Sequence, residues 1–535
     1  MAIIRNILAF AVLLCLAGCS DDNRYTGDRA SVNDTATYIR LQISVPALTR
    51  ATPSGGENGD GLEPGIRHEN EIQDLTLYFY HDENGEGVNA PATTTIIHKE
   101  YIADANLSVN TGNGTEYSTV YRLNGFKPQE DDRVIVVANT GNLPAITTLG
   151  ELRTHIVEKT FQAANAIPDY TRFVMSTAGH ATDEGKIVFN PYTGKKESPF
   201  RASVTLERAA ARIDLWYNNG QNATSATELA YKVISNGKSA EEPMATVHVT
   251  NVLPVNIMQQ PSYMLKHVTA GYNFSNLSVC GTEETDANGM PANYVAEPHT
   301  LSKNADISST SEILSAWYGE TAAQNIRENY QTLFGQSNEL SKYISDGQPQ
   351  PYTQEGYDFD TYVTIAYTNE NTQHESLHDS RFITGLVFKA IYEPRTVYTD
   401  AGATVKDNAD YSAGKTFWRY TPTRQEMSED NTIYFNNGEA AEDYKANHPS
   451  DLAEIQQFTG GICYYNLWLR HANADSDPHE TFPMEYGIVR NNIYRVGISF
   501  TGPGNLTPEL PEHDNVRMRI FVRKWNFRLQ PQISF

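Results

Sequence analysis

Cysteine is scarce, with 4 in 535 residues, and two of these, Cys15 and Cys19, sit in the first twenty positions. Cys280 and Cys463 remain, enough for one disulfide or for two buried thiols, and too few for a disulfide-stapled scaffold. Basic charge is short as well. The 41 Lys and Arg against 65 Asp and Glu give a net charge of -24. Nucleic acid and anionic lipid surfaces both need a basic face, so no nucleic-acid partner is expected. Beyond the N-terminus no apolar run approaches the roughly twenty residues of a membrane-spanning helix. The catalytic signatures HExxH, GxSxG, the P-loop and paired CxxC are missing, which argues for a protein that is not an enzyme and has no cofactor or metal. Two segments imitate part of a calcium loop. In residues 473–478, Pro478 replaces the turn glycine and Met484 stands where the bidentate glutamate belongs. Asp82, Asn84 and Glu86 with Gly87 read instead as a solvated hairpin turn. His471 and His479 lie near carboxylates, but no third ligand has a recognisable spacing.

What is present begins at the N-terminus. Arg5 precedes an apolar stretch, residues 7–16, that is too short to span a bilayer, and Leu16-Ala17-Gly18-Cys19 closes it. This is the pattern at which bacteria lipidate a cysteine. Residues 1–18 are therefore expected to be a lipoprotein signal peptide, with Cys19 as the acylated first residue of an anchored chain. The acidic Ser20-Asp21-Asp22-Asn23 next to it resembles signals that send lipoproteins to the outer face of the outer membrane.

Short alternating segments dominate the rest and predict an all-β protein. In residues 39–45 the aliphatic Ile39, Leu41, Ile43 and Val45 alternate with polar residues, the pattern of a half-buried strand. Residues 51–65 are Gly, Pro, Asn and acidic residues, a linker composition. Strands are expected at 72–80, 96–102, 117–123, 134–139, 173–176, 203–206 and 211–216, the last of these closing a first β-sandwich over 51–217. The capping-box pair Thr148 and Glu151 predicts a short helix, continued by Leu152, Ile156, Val157 and Phe161. After a hinge at Asn218-Asn219-Gly220, a second sandwich over 218–535 is expected to hold strands at 246–252, 362–367, 385–392, 463–469, 494–500 and 516–522. A helical insertion near 309–334 is predicted from Ser309, Glu312 and the apolar residues behind them. Of the 31 tyrosines, Tyr464 and Tyr465, with Trp468, read as packing residues more readily than as a glycan platform. In the tail, Val516, Met518, Ile520 and Val522 alternate with Arg517, Arg519, Phe521 and Arg523, and the apolar phase then shifts to Trp525, Phe527 and Leu529. Removing 39–45 from a sandwich would bare an apolar groove flanked by unpaired backbone. A strand pair from another copy's 516–535 has the pattern to fill it, in an addition that does not close on itself.

Three sets of residues carry a family likeness. Residues 461–468, Met484 to Tyr494 with Val489-Arg490-Asn491-Asn492-Ile493-Tyr494 at its end, and Gly502-Pro503-Gly504 resemble the closing region of fimbrillins, the subunits of type V pili. Residues 134–141 and 204–213 resemble that family's Val-rich Ala-Asn-Thr-Gly strand and its Leu-x-Arg-Ala-x-Ala-Arg strand. The resemblance implies two tandem transthyretin-like β-sandwich domains with short helical insertions, and export as a lipidated precursor of the outer membrane. It also implies polymerisation into a cell-surface fimbrium after a trypsin-like Arg-specific protease removes the N-terminal strand. Residues 19–50 would be the propeptide, cut between Arg50 and Ala51, with Arg67 as the other arginine available. The partners implied are further copies of the chain, related fimbrial subunits, and a host protein or glycan. Two other readings stand beside a shaft subunit: a fimbrial tip adhesin, and a monomeric outer-membrane glycan-binding lipoprotein.

Overall fold

The computed structural model describes residues 36–44, 62–64, 67–87, 90–105, 107–109, 116–163, 170–178, 183–216, 229–234, 243–258, 261–268, 295–298, 339–340, 353–354, 357–358, 362–372, 383–404, 406–407, 414–422, 432–471, 486–508 and 516–526. The principal strands are β1 (Thr37–Ser44), β2 (Leu62–Pro64), β3 (Leu75–His81), β4 (Ile96–Ile102), β5 (Ser108–Val109), β6 (Glu116–Leu123), β7 (Asp132–Ala138), β8 (Met175–Thr177) and β9 (Phe200–Arg208). They continue with β10 (Ala211–Trp216), β11 (Ala230–Val233), β12 (Ala245–Val255), β13 (Tyr362–Thr368), β14 (Gly385–Pro394), β15 (Ile462–Trp468), β16 (Asn492–Phe500) and β17 (Val516–Asn526). The two helices used below are α1 (Leu149–Thr154) and α2 (Gly438–Asn447). The protein is all-β, as the alternation predicts.

Eight strands form one N-terminal sheet in the order β4-β3-β7-β8-β9-β1-β6-β5. Its two halves enclose a core that includes Ile39, Leu41 and Ile43 of β1, Leu77 and Phe79 of β3, Val134 and Val136 of β7, and Val204 and Leu206 of β9. The reverse face of β3 and β7 is covered too, because Tyr78, Tyr80, Ile135 and Val137 pack with Leu149 and Leu152 of α1. Burial on both faces explains why residues 134–138 are a continuous apolar run. Helix α1 is capped by Thr148, whose side chain accepts the Glu151 N–H, while the Glu151 carboxylate reaches back to the Thr147 N–H. It ends at Thr154, and Ile156–Val157 is a strand paired with Ser262–Tyr263, so the predicted helix is shorter than its apolar spacing suggests.

A second sandwich stacks the sheet β2-β17-β16-β10-β13 on the sheet β11-β12-β14-β15. Ile213, Leu215, Val363, Ile365, Val496 and Ile498 meet Val247, Leu386, Phe388, Tyr465 and Leu467 across the shared core. Strand β10 corrects the expected organisation. Residues 211–216 pair with β13 and β16, so they belong to the second sandwich and do not close the first. The change of sheet falls two residues after β9, where Ala209, Ala210 and Ala211 enter three different apolar clusters. Only a methyl-sized side chain suits three adjoining cores at successive positions, and the resulting alanine run hides the strand break in the sequence.

Residues 397–458, between β14 and β15, form a small module unforeseen in the sequence. Its sheet runs Lys406–Asp407, Val397–Tyr398, Ile433–Phe435, Phe417–Thr421, Glu454–Phe458, with α2 against it and a core of Tyr420, Phe435, Ala440 and Ala441. Helix α2 buries only Ala440 and Ala441, too little apolar surface for a legible 3.6-residue period. The predicted insertion near 309–334 and the hinge at 218–220 lie outside the described residues.

His471 sits at the foot of β15 with its Nδ1 2.8 Å from the Tyr494 hydroxyl, and that hydroxyl accepts the Val489 N–H. Burial, with Lys266 nearby, lowers its pKa to about 4, from 6.5. A base held neutral in the fold contributes stability that is complete above pH 6.5 and is lost as pH falls through 4. The loss is about 3 kcal/mol for this group. Urea denaturation at pH 7 and pH 4 should show a smaller acid-induced loss in His471→Gln than in the parent protein.

Candidate assembly site

The alternation at residues 39–44 becomes a strand held on both sides. β1 runs parallel to β9, from Ile39 opposite Phe200 to Ser44 opposite Thr205, and antiparallel to β6, from Thr37 opposite Leu123 to Ser44 opposite Glu116. Ile39, Leu41 and Ile43 are 0% exposed, while Arg40 and Gln42 are half-buried. Burying three large apolar side chains is worth roughly 5–9 kcal/mol at about 1.5–3 kcal/mol each. Without β1, the edges of β9 and β6 would each show an unpaired row of backbone groups over a groove lined by Phe200, Ala202, Val204, Tyr121 and Leu123. The strand is therefore a plug in a two-sided slot.

Because β1 is parallel to β9, its C-terminal end points to the domain junction, where β9 hands the chain to β10. There the chain buries a dense ionic network. Arg212 binds Glu69 through Nη1 at 3.0 and 3.1 Å and Asp214 through Nη2 at 3.0 Å. Arg495 reaches the same Asp214 oxygen at 2.9 Å, the Thr364 hydroxyl donates to the other, and the Tyr367 hydroxyl donates to Glu69 at 2.5 Å. Arg208 donates to the Glu69 carbonyl at 2.9 Å and to Asn70, and burial pushes its pKa down to about 9. Alongside, Arg490 pairs with Glu370 at 2.8 Å and donates to the Tyr263 carbonyl, and Lys266 pairs with Glu207 at 2.7 Å. Asn491, in the left-handed region at φ 58, donates its N–H to the Ala210 carbonyl and accepts the Arg208 N–H. None of this was predicted. The signal available was Arg208, Arg212 and Asp214 within otherwise apolar strand sequence, where a charge needs a buried partner.

The other predicted site residues divide in three. Val516, Met518, Ile520 and Val522 are register partners of Phe500, Ile498, Val496 and Tyr494, all core residues, so in a single copy the tail pairs within its own second sandwich. β17 continues without interruption through Trp525 to Asn526, with no break at the change of apolar phase. Cys19, Val45, Arg50, Ala51, Phe527 and Leu529 lie outside the described residues. Arg67 opens the 3-10 turn Arg67–Asn70, a poorer protease substrate than extended backbone. Of the cysteines, Cys280 lies outside the described residues, and Cys463 is a buried thiol, its pKa raised by burial to about 11. The Asp82 carboxylate is occupied by the Glu86 and Gly87 N–H groups and by Arg133, so that segment is a closed turn. Among the described residues there is no metal-binding cluster and no helix long and apolar enough to cross a membrane.

Residues 456–530, which take in β15, β16 and β17, match the family described as major fimbrial subunit protein type IV, fimbrillin, C-terminal. This stretch of the chain is similar to a fimbrillin C-terminal region. No protein of curated function matches the chain. Among solved structures, similar chains include a candidate cell adhesion protein from Bacteroides eggerthii, at 10% identity and a TM-score of 0.38, covering 93% of this chain and 99% of that one. A fimbrillin from Porphyromonas gingivalis is 12% identical, with a TM-score of 0.35 and coverage of 92% and 99%. A tip fimbrial protein from the same species is 10% identical, with a TM-score of 0.33 and coverage of 91% and 99%. These superpositions are loose, and the likeness to fimbrillins rests on residues 456–530. Within that region fall Val489 to Tyr494, the segment that brings Arg490, Asn491 and Tyr494 to the junction.

Three substitutions probe the site. Leu41→Ala should destabilise the uncut precursor by about 2–5 kcal/mol, and Gln42→Ala by under about 0.5 kcal/mol. Glu69→Ala, which leaves Arg212 and Arg495 to share Asp214, should cost about 3–5 kcal/mol. Chemical denaturation of the three purified variants measures both effects.

Proposed function

We propose that the chain is a structural subunit of a type V fimbrial shaft, without catalytic activity, that polymerises by strand exchange and so supports adhesion. The observation that carries this reading is β1, an apolar strand paired on both edges and joined to the rest of the chain only through the segment that contains Arg50. On this reading the precursor is a lipoprotein of the outer membrane, anchored through Cys19. A trypsin-like protease cuts between Arg50 and Ala51, β1 leaves, and residues 516–535 of another copy fill the vacated slot.

Backbone pairing supports such an exchange energetically. In its own sheet β17 has one full-length neighbour, β16, and on the other side only the three residues of β2. The slot offers a neighbour on both sides along the six residues 39–44, and β6 alone over the two before them. A strand that moves from beside the short edge strand of one sheet to the interior of another gains backbone partners. Insertion of one copy into the next is head-to-tail, so it extends as a filament.

Filaments sheared from cells should contain a chain that begins at Ala51, and Arg50→Ala cells should carry a lipidated, unpolymerised protein. N-terminal sequencing decides it, and a polymer whose chains begin at Cys19 refutes the cut.

The alternation sets a second expectation. Ile520→Asp should weaken assembly far more than Arg519→Asp, since the two positions fall on opposite faces of a strand. Equal filament yields from the two variants in electron microscopy, or normal filaments from a chain lacking 516–535, would end the donor-strand reading.

A further inference from the structure

The C-terminal strand is paired over its last residues by a segment from the other end of the chain. β2 is the edge strand of its sheet and runs parallel to the end of β17, with Leu62 opposite Lys524, Glu63 opposite Trp525 and Pro64 opposite Asn526. A three-residue parallel ladder is weak by itself, and Pro64 contributes no N–H to it. A buried anchor just beyond Pro64 holds it close. Past Gly65 and Ile66 the chain enters the Arg67–Asn70 turn, whose Glu69 side chain is bound by Arg212 and Tyr367 and whose Glu69 carbonyl is bound by Arg208. So short a tether keeps β2 beside β17 at high effective concentration. All of β2 lies on the C-terminal side of Arg50, so cutting there leaves both the ladder and its anchor in the mature chain.

From this geometry we infer that Leu62–Pro64, anchored through the Arg67–Asn70 turn, are a clasp that retains the C-terminal strand in its own sheet after the propeptide is gone, and that opening the clasp limits when that strand can be donated. The retention follows from the pairing and the anchor; the control of donation rests on the strand-exchange reading proposed above. The clasp sits at the C-terminal end of β17, opposite the end that follows from the rest of the domain. Peeling must begin there, because residues 516–523 cannot leave β16 as a strand while 524–526 stay fixed. The clasp accordingly holds the last bonds of the strand that are the first to break in donation.

The test uses the full chain carrying Glu63→Pro, which leaves Leu62 as the one possible backbone donor of β2, and a second chain lacking residues 51–64, with cleavage assayed by its own N-terminus. Hydrogen exchange of the 520–526 amides should be about tenfold faster in both than in the parent, the change expected for losing one or two ladder bonds. After cleavage, both should form filaments faster than the parent. Unchanged exchange in both variants overturns the clasp, whatever the filaments do. Faster exchange with an unchanged assembly rate overturns its control of donation. A chain lacking 516–535 runs in parallel: if it polymerises normally, the donor-strand reading is what has failed, and a change of exchange in the clasp variants still reports the retention separately.

Discussion

Arg212 has no contact with water, and its charge is tolerable only because Glu69 and Asp214 bracket it. This constraint fixes much of the molecule around it. Glu69 comes from the turn after β2, Asp214 from β10, and Arg495, which shares Asp214, from β16. Buried ion pairs contribute little net stability over apolar packing, because desolvation offsets the attraction, but they do not tolerate a missing partner. A network of this kind therefore acts on arrangement. It favours the placement in which Arg212 and Arg495 reach Asp214, Arg212 reaches Glu69, and Arg208 reaches the Glu69 carbonyl and Asn70. The Arg490–Glu370 pair and the Ile156–Val157 to Ser262–Tyr263 ladder restrict the junction from a second side. The chain entering from its N-terminus is fastened at the same place through Glu69 and Asn70.

How much of this the sequence announced depends on the distance over which each signal acts. Alternation is local, so strands such as 96–102 and 211–216 are legible to the residue. The face they present, Ile39, Leu41 and Ile43 inward, follows from the period of two. Which sheet a strand joins is not local. Ala209 to Ala211 look the same in a helix, in one strand or at a crossing between sheets, and only the partners of β10 decide. The ionic junction was illegible for the same reason, since Arg212 meets a carboxylate 143 residues away in Glu69. The residues that supported the fimbrillin likeness, Arg208 with Arg212 and Arg490 with Asn491, turn out to be the junction itself. Their pattern is legible in the sequence, and their physical role is not, because it depends on partners far away along the chain.

The slot and the tail differ in a way that the strand pattern alone could not reveal. Both read as amphipathic strands, and both are paired in the single copy. β1 is enclosed between two strands of a sheet to which it is otherwise connected only through its own C-terminal end. β17 lies one strand from a sheet edge, covered there by three residues. Only the first arrangement makes a plug whose departure leaves two open ladders. The second makes a strand whose departure opens one ladder and a short clasp.

On the proposed reading, this asymmetry gives the cut its direction. While residue 50 is joined to residue 51, β1 competes for its slot as part of the same molecule, at an effective concentration that a second copy's strand cannot match. Cutting the chain does not remove a single hydrogen bond or apolar contact from β1. It changes the competition, because β1 is then a separate peptide that dilutes once it leaves, whereas each arriving subunit brings a tail that stays attached to the growing assembly. The apolar burial that held the plug, roughly 5–9 kcal/mol, is returned to the incoming strand when its side chains take the same positions. Proteolysis here supplies no binding energy; it removes the intramolecular advantage of the wrong occupant.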